Sequence, residues 1–301
     1  MKVVIAGGRG FIGQFLVEKY IHLGHDVIVI SRTKDILNGV THISWEDVTE
    51  LKNAINHADL LINMAGKSVD CRYHEKNKKA ILTSRVQTTK KLGAIVETVE
   101  YPPKLWVNSS TATIYRHAED RPMTESTGDI GSGFSVDVAT QWEQAFFAGV
   151  TPNTRKVAIR TAIVLGRDGG AFKHFCMLTK IGFGGPQGNG SQMVSFIHIE
   201  DVFNGIEFIR KNTKLEGVFN LSAPNPVTNS DFMKTLREHL NVRFGVRIYA
   251  WMLSIGAFVL RTETELLLKS RWVMPERIER EGFMFKYPSL SKAIRNLLSG
   301  L

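Results

Sequence analysis

The seven residues Gly7-Gly8-Arg9-Gly10-Phe11-Ile12-Gly13 limit what this chain can fold into more than any other stretch. They follow a short apolar run, residues 3–6, and open a segment, 11–23, in which Phe11, Ile12, Phe15, Leu16, Tyr20 and Leu23 recur at near-helical spacing. Gly24 closes that helix, and residues 26–30 read as a second buried strand. Gly7, Gly10 and Gly13 thus form G-x-x-G-x-x-G between a strand and a helix. Each glycine has a physical task there: a tight turn, close approach of backbone to a diphosphate, and close packing of helix on strand. A helix beginning near Gly10 would aim the free amides of Phe11, Ile12 and Gly13, and the positive end of its dipole, at that anion. A dinucleotide site in the first 35 residues is the expectation.

The second strand runs into Ser31-Arg32. A site selective for NAD places Asp or Glu here to bind the ribose 2′-hydroxyl, whereas arginine suits a 2′-phosphate. Guanidinium can hold that phosphate with two hydrogen bonds and Ser31 can add a hydroxyl. The cofactor expected is NADP(H).

The alternation continues along the chain. A helix is expected near 50–58, a strand at 60–64, a long helix over about 74–99 that stops before Pro102 and Pro103, a strand from 104, a helix including 141–148, and a strand at 157–165. Continuous apolar strands joined by helices give a parallel sheet covered on both faces. The fold class is therefore α/β, a Rossmann-type doubly wound parallel sheet with a smaller, mainly helical C-terminal domain on the substrate side. Residues 1–168 form the nucleotide-binding domain, with 195–223 returning to it; 169–194 and 224–301 form the substrate-side region. The glycine-rich stretch 181–193 reads as a long loop over a cleft.

Composition excludes several alternatives. The net charge is +9, but the basic residues are scattered and no nucleic-acid module is visible. The apolar stretch 248–260 is too short and interrupted to span a bilayer. Cys71 and Cys176 match no metal or redox spacing. A protein of the cytoplasm that takes a small-molecule partner, without metal, nucleic acid or membrane, is expected; oligomeric state and enzymatic activity are left open.

Several segments resemble the extended short-chain dehydrogenase/reductase superfamily: GGRGFIG at 7–13, SSTATIY at 109–115 and FIHIEDV at 196–202. More narrowly, VISR at 29–32, INMAGKS at 62–68, SRV at 84–86, IRTAIVLGRDGGA at 159–171, GFGGPQGNGSQ at 182–192 and PERIEREGFMFKYPSL at 275–290 are similar to its YfcH/SDR39U1-like epimerase family. The resemblance covers nearly the whole chain. It implies cofactor contacts from Met64, Ala65 and Gly66, from Arg85 of the SRV segment toward phosphates or ribose, and from Val164 in a turn near the nicotinamide. It also implies a nucleotide sugar as one candidate substrate.

The same resemblance exposes a departure. Extended reductases and epimerases use a Tyr-x-x-x-Lys pair, in which lysine eases proton exchange at the phenol while nicotinamide exchanges a hydride. With Glu143 aligned to the family's glutamate, Ser135 stands where tyrosine should be and Ala139 where lysine should be. Thr111 keeps the hydroxyl position that holds the substrate oxygen. Three readings stay open. Other groups catalyse, among them Thr111, Tyr115, Lys67 or His198; or the substrate supplies much of its own acid–base chemistry; or the protein binds NADPH without turnover, as a sensor or scaffold. Tyr115 is the nearest substitute acid by chemistry. Asp47 is expected either at the adenine edge or on a loop surface. His198 is expected beneath the cleft, in a structural role before a catalytic one, and Asp201 as the cap of the following helix.

Overall fold

The computed structural model describes residues 1–32, 36–37, 39–249, 251–252 and 269–299. The first half builds β1 (Lys2–Ala6), α1 (Phe11–His22), β2 (Asp26–Ser31), β3 (Ile36–Leu37), β4 (Val40–Ser44), α2 (Val48–Ile55), β5 (Leu60–Asn63), α3 (Glu75–Val96) and β6 (Leu105–Thr111). A single 3-10 turn, Ala112–Ile114, follows, then α4 (Phe134–Phe147), β7 (Arg155–Thr161), β8 (Ile163–Leu165) and α5 (Gly170–Leu178). Beyond these come β9 (Met193–Val194), β10 (Phe196–His198), α6 (Ile199–Lys211), β11 (Gly217–Leu221), β12 (Val227–Thr228) and α7 (Asn229–His239). Two further helices, Glu276–Arg280 and Leu290–Leu298, close the described chain.

The main sheet has eight strands in the order β11-β7-β6-β5-β1-β2-β4-β3. All neighbours pair in parallel except the edge strand β3, which runs antiparallel to β4. The chain builds outward from β1 through β2 to β4, then crosses back to add β5 on the other side. The crevice between the carboxyl ends of β1 and β5 is therefore the topological switch point, where doubly wound sheets bind ligands.

Strand alternation loads both faces. Val3, Ile5, Leu60, Ile62, Val107 and Ile159 pack on one side with Leu16 and Tyr20 of α1 and Ile206 and Ile209 of α6. Val4, Leu61, Trp106 and Ala158 pack on the other with Leu51 and Ile55 of α2, Leu92 and Val96 of α3, and Phe146 of α4. Each fully buried aliphatic side chain contributes roughly 1.5–3 kcal/mol. A third cluster joins Phe172 and Phe175 of α5, Phe232 and Leu236 of α7, and Ile294 and Leu297 of the last helix.

Several expectations shift in detail. Residues 40–44, with polar Thr41, His42 and Ser44, form β4, a strand that apolar runs alone do not announce. The strand expected at 157–165 is interrupted at Ala162, whose amide donates to Leu221 O. Val164 consequently lies not in a turn but in β8, where it pairs with Ile197 of β10 in a separate two-stranded sheet. The glycine-rich stretch opens on a π-turn, Thr179–Phe183, and ends in β9. Most of the apolar stretch 248–260 lies outside the described residues; among the described residues no helix is long and apolar enough to cross a membrane.

Candidate functional site

Backbone hydrogen bonds shape the turn after β1. Gly7 N donates to Ile30 O (3.0 Å) and Gly10 N to Gly7 O (3.0 Å). Gly7 has φ +79°, and a Cβ on it would lie 2.7 Å from the Met64 carbonyl carbon. That proximity places the Met64–Gly66 backbone directly against the turn, across the switch point. A Cβ on Gly13 would fall 2.2 Å from Gly7 O, so α1 can sit this close only with glycine there. Gly10 is the N-cap of α1, offers no side-chain cap, and the first turn carries no acidic residue. The amides of Phe11, Ile12 and Gly13 belong to the helix's first turn, which has no intrahelical acceptors for them. Their dipole and the lack of carboxylates suit an anion.

Ser31, buried, and Arg32, exposed, end β2 at the same carboxyl edge. Trp45 N donates to Ser31 O (3.1 Å), which brings the end of β4 beside them. Asp47 accepts from Glu50 N (2.9 Å) and caps α2.

The Met64–Lys67 segment is fixed from below. Asn63, fully buried, donates to Asn108 Oδ1 (2.7 Å) and Thr89 Oγ1 (3.0 Å), and its Oδ1 receives Ala65 N (3.1 Å). Arg85 lies under Gly66, whose Cβ would come within 3.0 Å of the guanidinium carbon. It donates to Lys67 O (3.0 Å) and Ile81 O (3.1 Å) and stacks on Trp142 at 5.2 Å. Burial lowers its pKa to about 10. These contacts fasten the loop to α3.

Phe11 shows a link that spacing in the sequence does not reveal. Cβ atoms on Gly166, Gly169 or Gly170 would come within 2.6–2.8 Å of its ring. The glycines of the GRDGG segment therefore exist in part to seat Phe11, which ties the dinucleotide turn to β8 and Val164. The only sequence signal was the density of glycine itself.

At the other end of the crevice, Thr111 and Thr161 are partners in register at the ends of β6 and β7. Thr111 Oγ1 accepts from Thr113 N (3.1 Å) and donates to Thr113 Oγ1 (2.9 Å), and it is half-buried. Ser135 is half-buried in the first turn of α4, whereas Ala139 is fully buried among Ala112, Ile114, Met123 and Val273. No ammonium group could be accommodated there without disrupting an apolar cluster.

Tyr115, expected as a substitute acid, is 1% exposed. Its hydroxyl donates to Asn220 Oδ1 (2.9 Å) and accepts from Arg160 Nη1 (2.9 Å). Arg160 in turn grips Glu143 through two bonds (2.8 and 2.7 Å), and Ser110 Oγ donates to Glu143 Oε1 (2.5 Å). Burial pushes the Tyr115 phenol above its ordinary value. A phenol with both roles satisfied and its ionisation opposed is a buried brace between β6, β7 and β11; the substitute-acid expectation is corrected.

His198 caps α6, with Nδ1 accepting from Glu200 N (3.1 Å), and its ring lies 3.9 Å from that of Tyr287. Asp201 is not the cap: fully buried in the helix's first turn, it accepts from Lys286 N (2.9 Å) and Tyr287 N (2.8 Å). Lys67 is exposed.

Residues 3–135 match the family model described as the NAD dependent epimerase/dehydratase family, and residues 250–297 match a domain of unknown function, DUF1731. The human epimerase family protein SDR39U1 is 29% identical over 99% of this chain and 100% of its own length. Epimerase family protein YfhF of Bacillus subtilis (strain 168) is 29% identical over 99% and 98%. A crystal structure of human SDR39U1 (isoform 2) with NADPH superposes with a TM-score of 0.90, covering 100% of both chains at 29% identity. A nucleoside-diphosphate sugar epimerase from Corynebacterium glutamicum gives a TM-score of 0.77 at 28% identity, covering 98% of this chain and 57% of that one.

Proposed function

We propose that the chain, whose residues 3–135 match the NAD dependent epimerase/dehydratase family model and which is 29% identical to human SDR39U1 over 99% of its length, is a member of that family and an NADP(H)-dependent oxidoreductase or epimerase-like enzyme acting on a carbonyl or hydroxyl group of a small molecule. The observation that carries this reading is the glycine turn at the switch point, packed against the Met64 backbone and opening a helix without carboxylates in its first turn. The NADPH in the human SDR39U1 structure supports the choice of cofactor.

On this reading Gly7, Gly10 and the amides of Phe11, Ile12 and Gly13 receive the diphosphate. Ser31 and Arg32 receive the 2′-phosphate, Met64 to Gly66 line the ribose, and Val164 flanks the nicotinamide. NADP(H) supplies hydride exchange. Thr111 holds the reacting oxygen of the substrate by turning its hydroxyl from Thr113. Arg85, which fastens the Gly66–Lys67 segment, serves the phosphates or ribose of the cofactor from there. A nucleotide sugar is one candidate substrate, suggested by what the Corynebacterium relative's name says it acts on.

A second reading, NADPH binding without turnover, is favoured by the alanine and serine that stand for lysine and tyrosine and by the engaged hydroxyl of Tyr115. Two measurements separate the possibilities. Arg32→Glu should weaken NADPH at least tenfold more than NADH in titration calorimetry; equal weakening of both would remove Arg32 from the site. NADPH oxidation across a panel of small carbonyls and nucleotide sugars should appear in the native protein and vanish in Thr111→Ala with cofactor affinity kept. Tight NADPH binding with no turnover across the panel would favour the second reading.

A further inference from the structure

Hydride added to a carbonyl carbon puts charge on its oxygen, so an acid must meet that oxygen. Ser135 and Ala139 offer an aliphatic hydroxyl and a methyl, and the Tyr115 hydroxyl is engaged by Asn220 and Arg160. Ser135, Ala139 and Trp142 stand at i, i+4 and i+7 of α4 and so share one face of it. Ala139 packs on Ala112 and Ile114, in the turn that Thr111 caps. Trp142 carries the Arg85 guanidinium 5.2 Å from its ring and donates to Thr89 Oγ1 (2.9 Å). That face of α4 therefore meets both the carboxyl end of β6 and Arg85.

Tyr73 reaches α4 from the loop before α3. Its half-buried ring meets the ring of Phe134, the neighbour of Ser135, edge on at 5.0 Å. The backbone around it is held: Asn77 Nδ2 donates to Arg72 O (2.7 Å), and His74 caps α3 by accepting from Asn77 N (3.3 Å). Further back, Lys67 N donates to Ser84 Oγ (2.8 Å). Met64, where this loop begins, lies against the glycine turn, so one braced segment runs from the proposed cofactor site to Tyr73. Arg85 ties it together. It bonds Lys67 O in mid-loop (3.0 Å). Burial lowers the pKa of its guanidinium, and the Tyr73 phenol works against this by favouring the cation. Electrostatic attraction is mutual. The same cation is placed to share the charge left on Tyr73 when the phenol gives up its proton, as lysine does in the Tyr-x-x-x-Lys pair that this chain lacks.

The geometry points to Tyr73 as the proton donor of the proposed reaction, with Arg85 as its charge partner and Thr111 holding the same substrate oxygen from the sheet side. The inference rests on the enzymatic reading above and names its acid. The step is a proton transfer. The Tyr73 Oη–H bond breaks and an O–H bond forms on the substrate oxygen, as the carbonyl carbon receives the hydride that NADPH supplies. The substrate ends reduced to an alcohol, the cofactor oxidised, and the Tyr73 oxygen regains a proton from water.

The test uses full-length protein and begins without cofactor. Tyrosinate ultraviolet absorbance is followed against pH in native protein, Tyr73→Phe and Arg85→Gln. The difference between native and Tyr73→Phe isolates one phenol among the six of the chain. That phenol should be at least tenfold more acidic than an ordinary tyrosine of pKa about 10, and Arg85→Gln should abolish the excess acidity. With NADPH and the carbonyl panel, Tyr73→Phe should lower kcat about a hundredfold and leave the KM for NADPH within threefold. Should Arg85→Gln fail to fold, Tyr73→Phe, which removes one oxygen from a half-buried site, decides through both readouts. A phenol of ordinary acidity, or one indifferent to Arg85→Gln, would overturn the inference, as would Tyr73→Phe protein that keeps half the native kcat. Native turnover alongside any of these results would leave the enzymatic reading standing. An acidic, Arg85-dependent Tyr73 in protein that oxidises no NADPH across the panel would sink the enzymatic reading and keep the charge pair.

Discussion

At Gly13 one methyl group decides whether α1 can lie against its turn. The Cβ would stand 2.2 Å from Gly7 O and 2.8 Å from Gly8 Cα, both unyielding backbone. Gly13→Ala should therefore cost about 1–3 kcal/mol, the usual penalty of overpacking, and lower the melting temperature by a few degrees. Gly10→Ala is the internal control, because its Cβ would meet only Gly7 O at an ordinary 3.4 Å. That variant should lose less stability than Gly13→Ala, since alanine there costs only a weaker N-cap, yet bind NADPH less well, since it adds a methyl to the turn proposed to receive the diphosphate. Identical melting behaviour of the two variants would contradict the geometry. Spacing announces such residues because their task is local. It is silent where the partner is distant in sequence: nothing in the sequence pairs Phe11 with Gly166, or Tyr115 with Asn220, or turns Arg85 toward Lys67 O. The chemistry of Tyr115 could be read from its type, but its burial could not.

Among the elements, α6 carries a pH dependence. Burial drives the His198 imidazole from an ordinary 6.5 down to about 4. Its Nδ1 must stay an acceptor to cap the helix, so the neutral ring is the folded form. The unfolded chain gains a proton near pH 6.5 that the folded one refuses until about pH 4. Stability is then fully present above pH 6.5 and drains away by about 3 kcal/mol as pH falls toward 4. Thermal melts over that interval should show the decline, and His198→Asn, which retains a capping side chain without a titration, should flatten this part of it. An unchanged slope would assign the acid sensitivity elsewhere. Elements with strong periodicity or unbroken apolar content, such as β1, β5 and α1, were legible in the sequence. Those whose pairing is decided elsewhere were less so. Strand β4 has an exposed Thr41 beside a buried His42, and β8 separates from β7 because Ala162 pairs with Leu221 and Ile163 with Ser195.

For the molecule as a whole, bound NADPH should raise stability by about 2.7 kcal/mol at a hundredfold excess over Kd, a shift of several degrees that NADH at the same concentration should not match. The sheet itself depends on residues far along the chain. Strand β11 pairs with β7 through five residues, Gly217 to Leu221. The segment 270–274 then crosses the carboxyl edge: Met123 N donates to Trp272 O (2.7 Å), Ser222 Oγ to Val273 O (3.0 Å) and Asn220 Nδ2 to Met274 O (2.9 Å). Asp201 clasps Lys286 and Tyr287 from beneath. Anyone transplanting a new substrate module onto this scaffold must consequently keep β10, α6 and β11, whose Ile197, Ile206, Ile209 and Phe219 fill the core, and splice on either side of them. A cassette fused at a single end would leave β7 as a bare edge, open to pairing with a neighbouring copy.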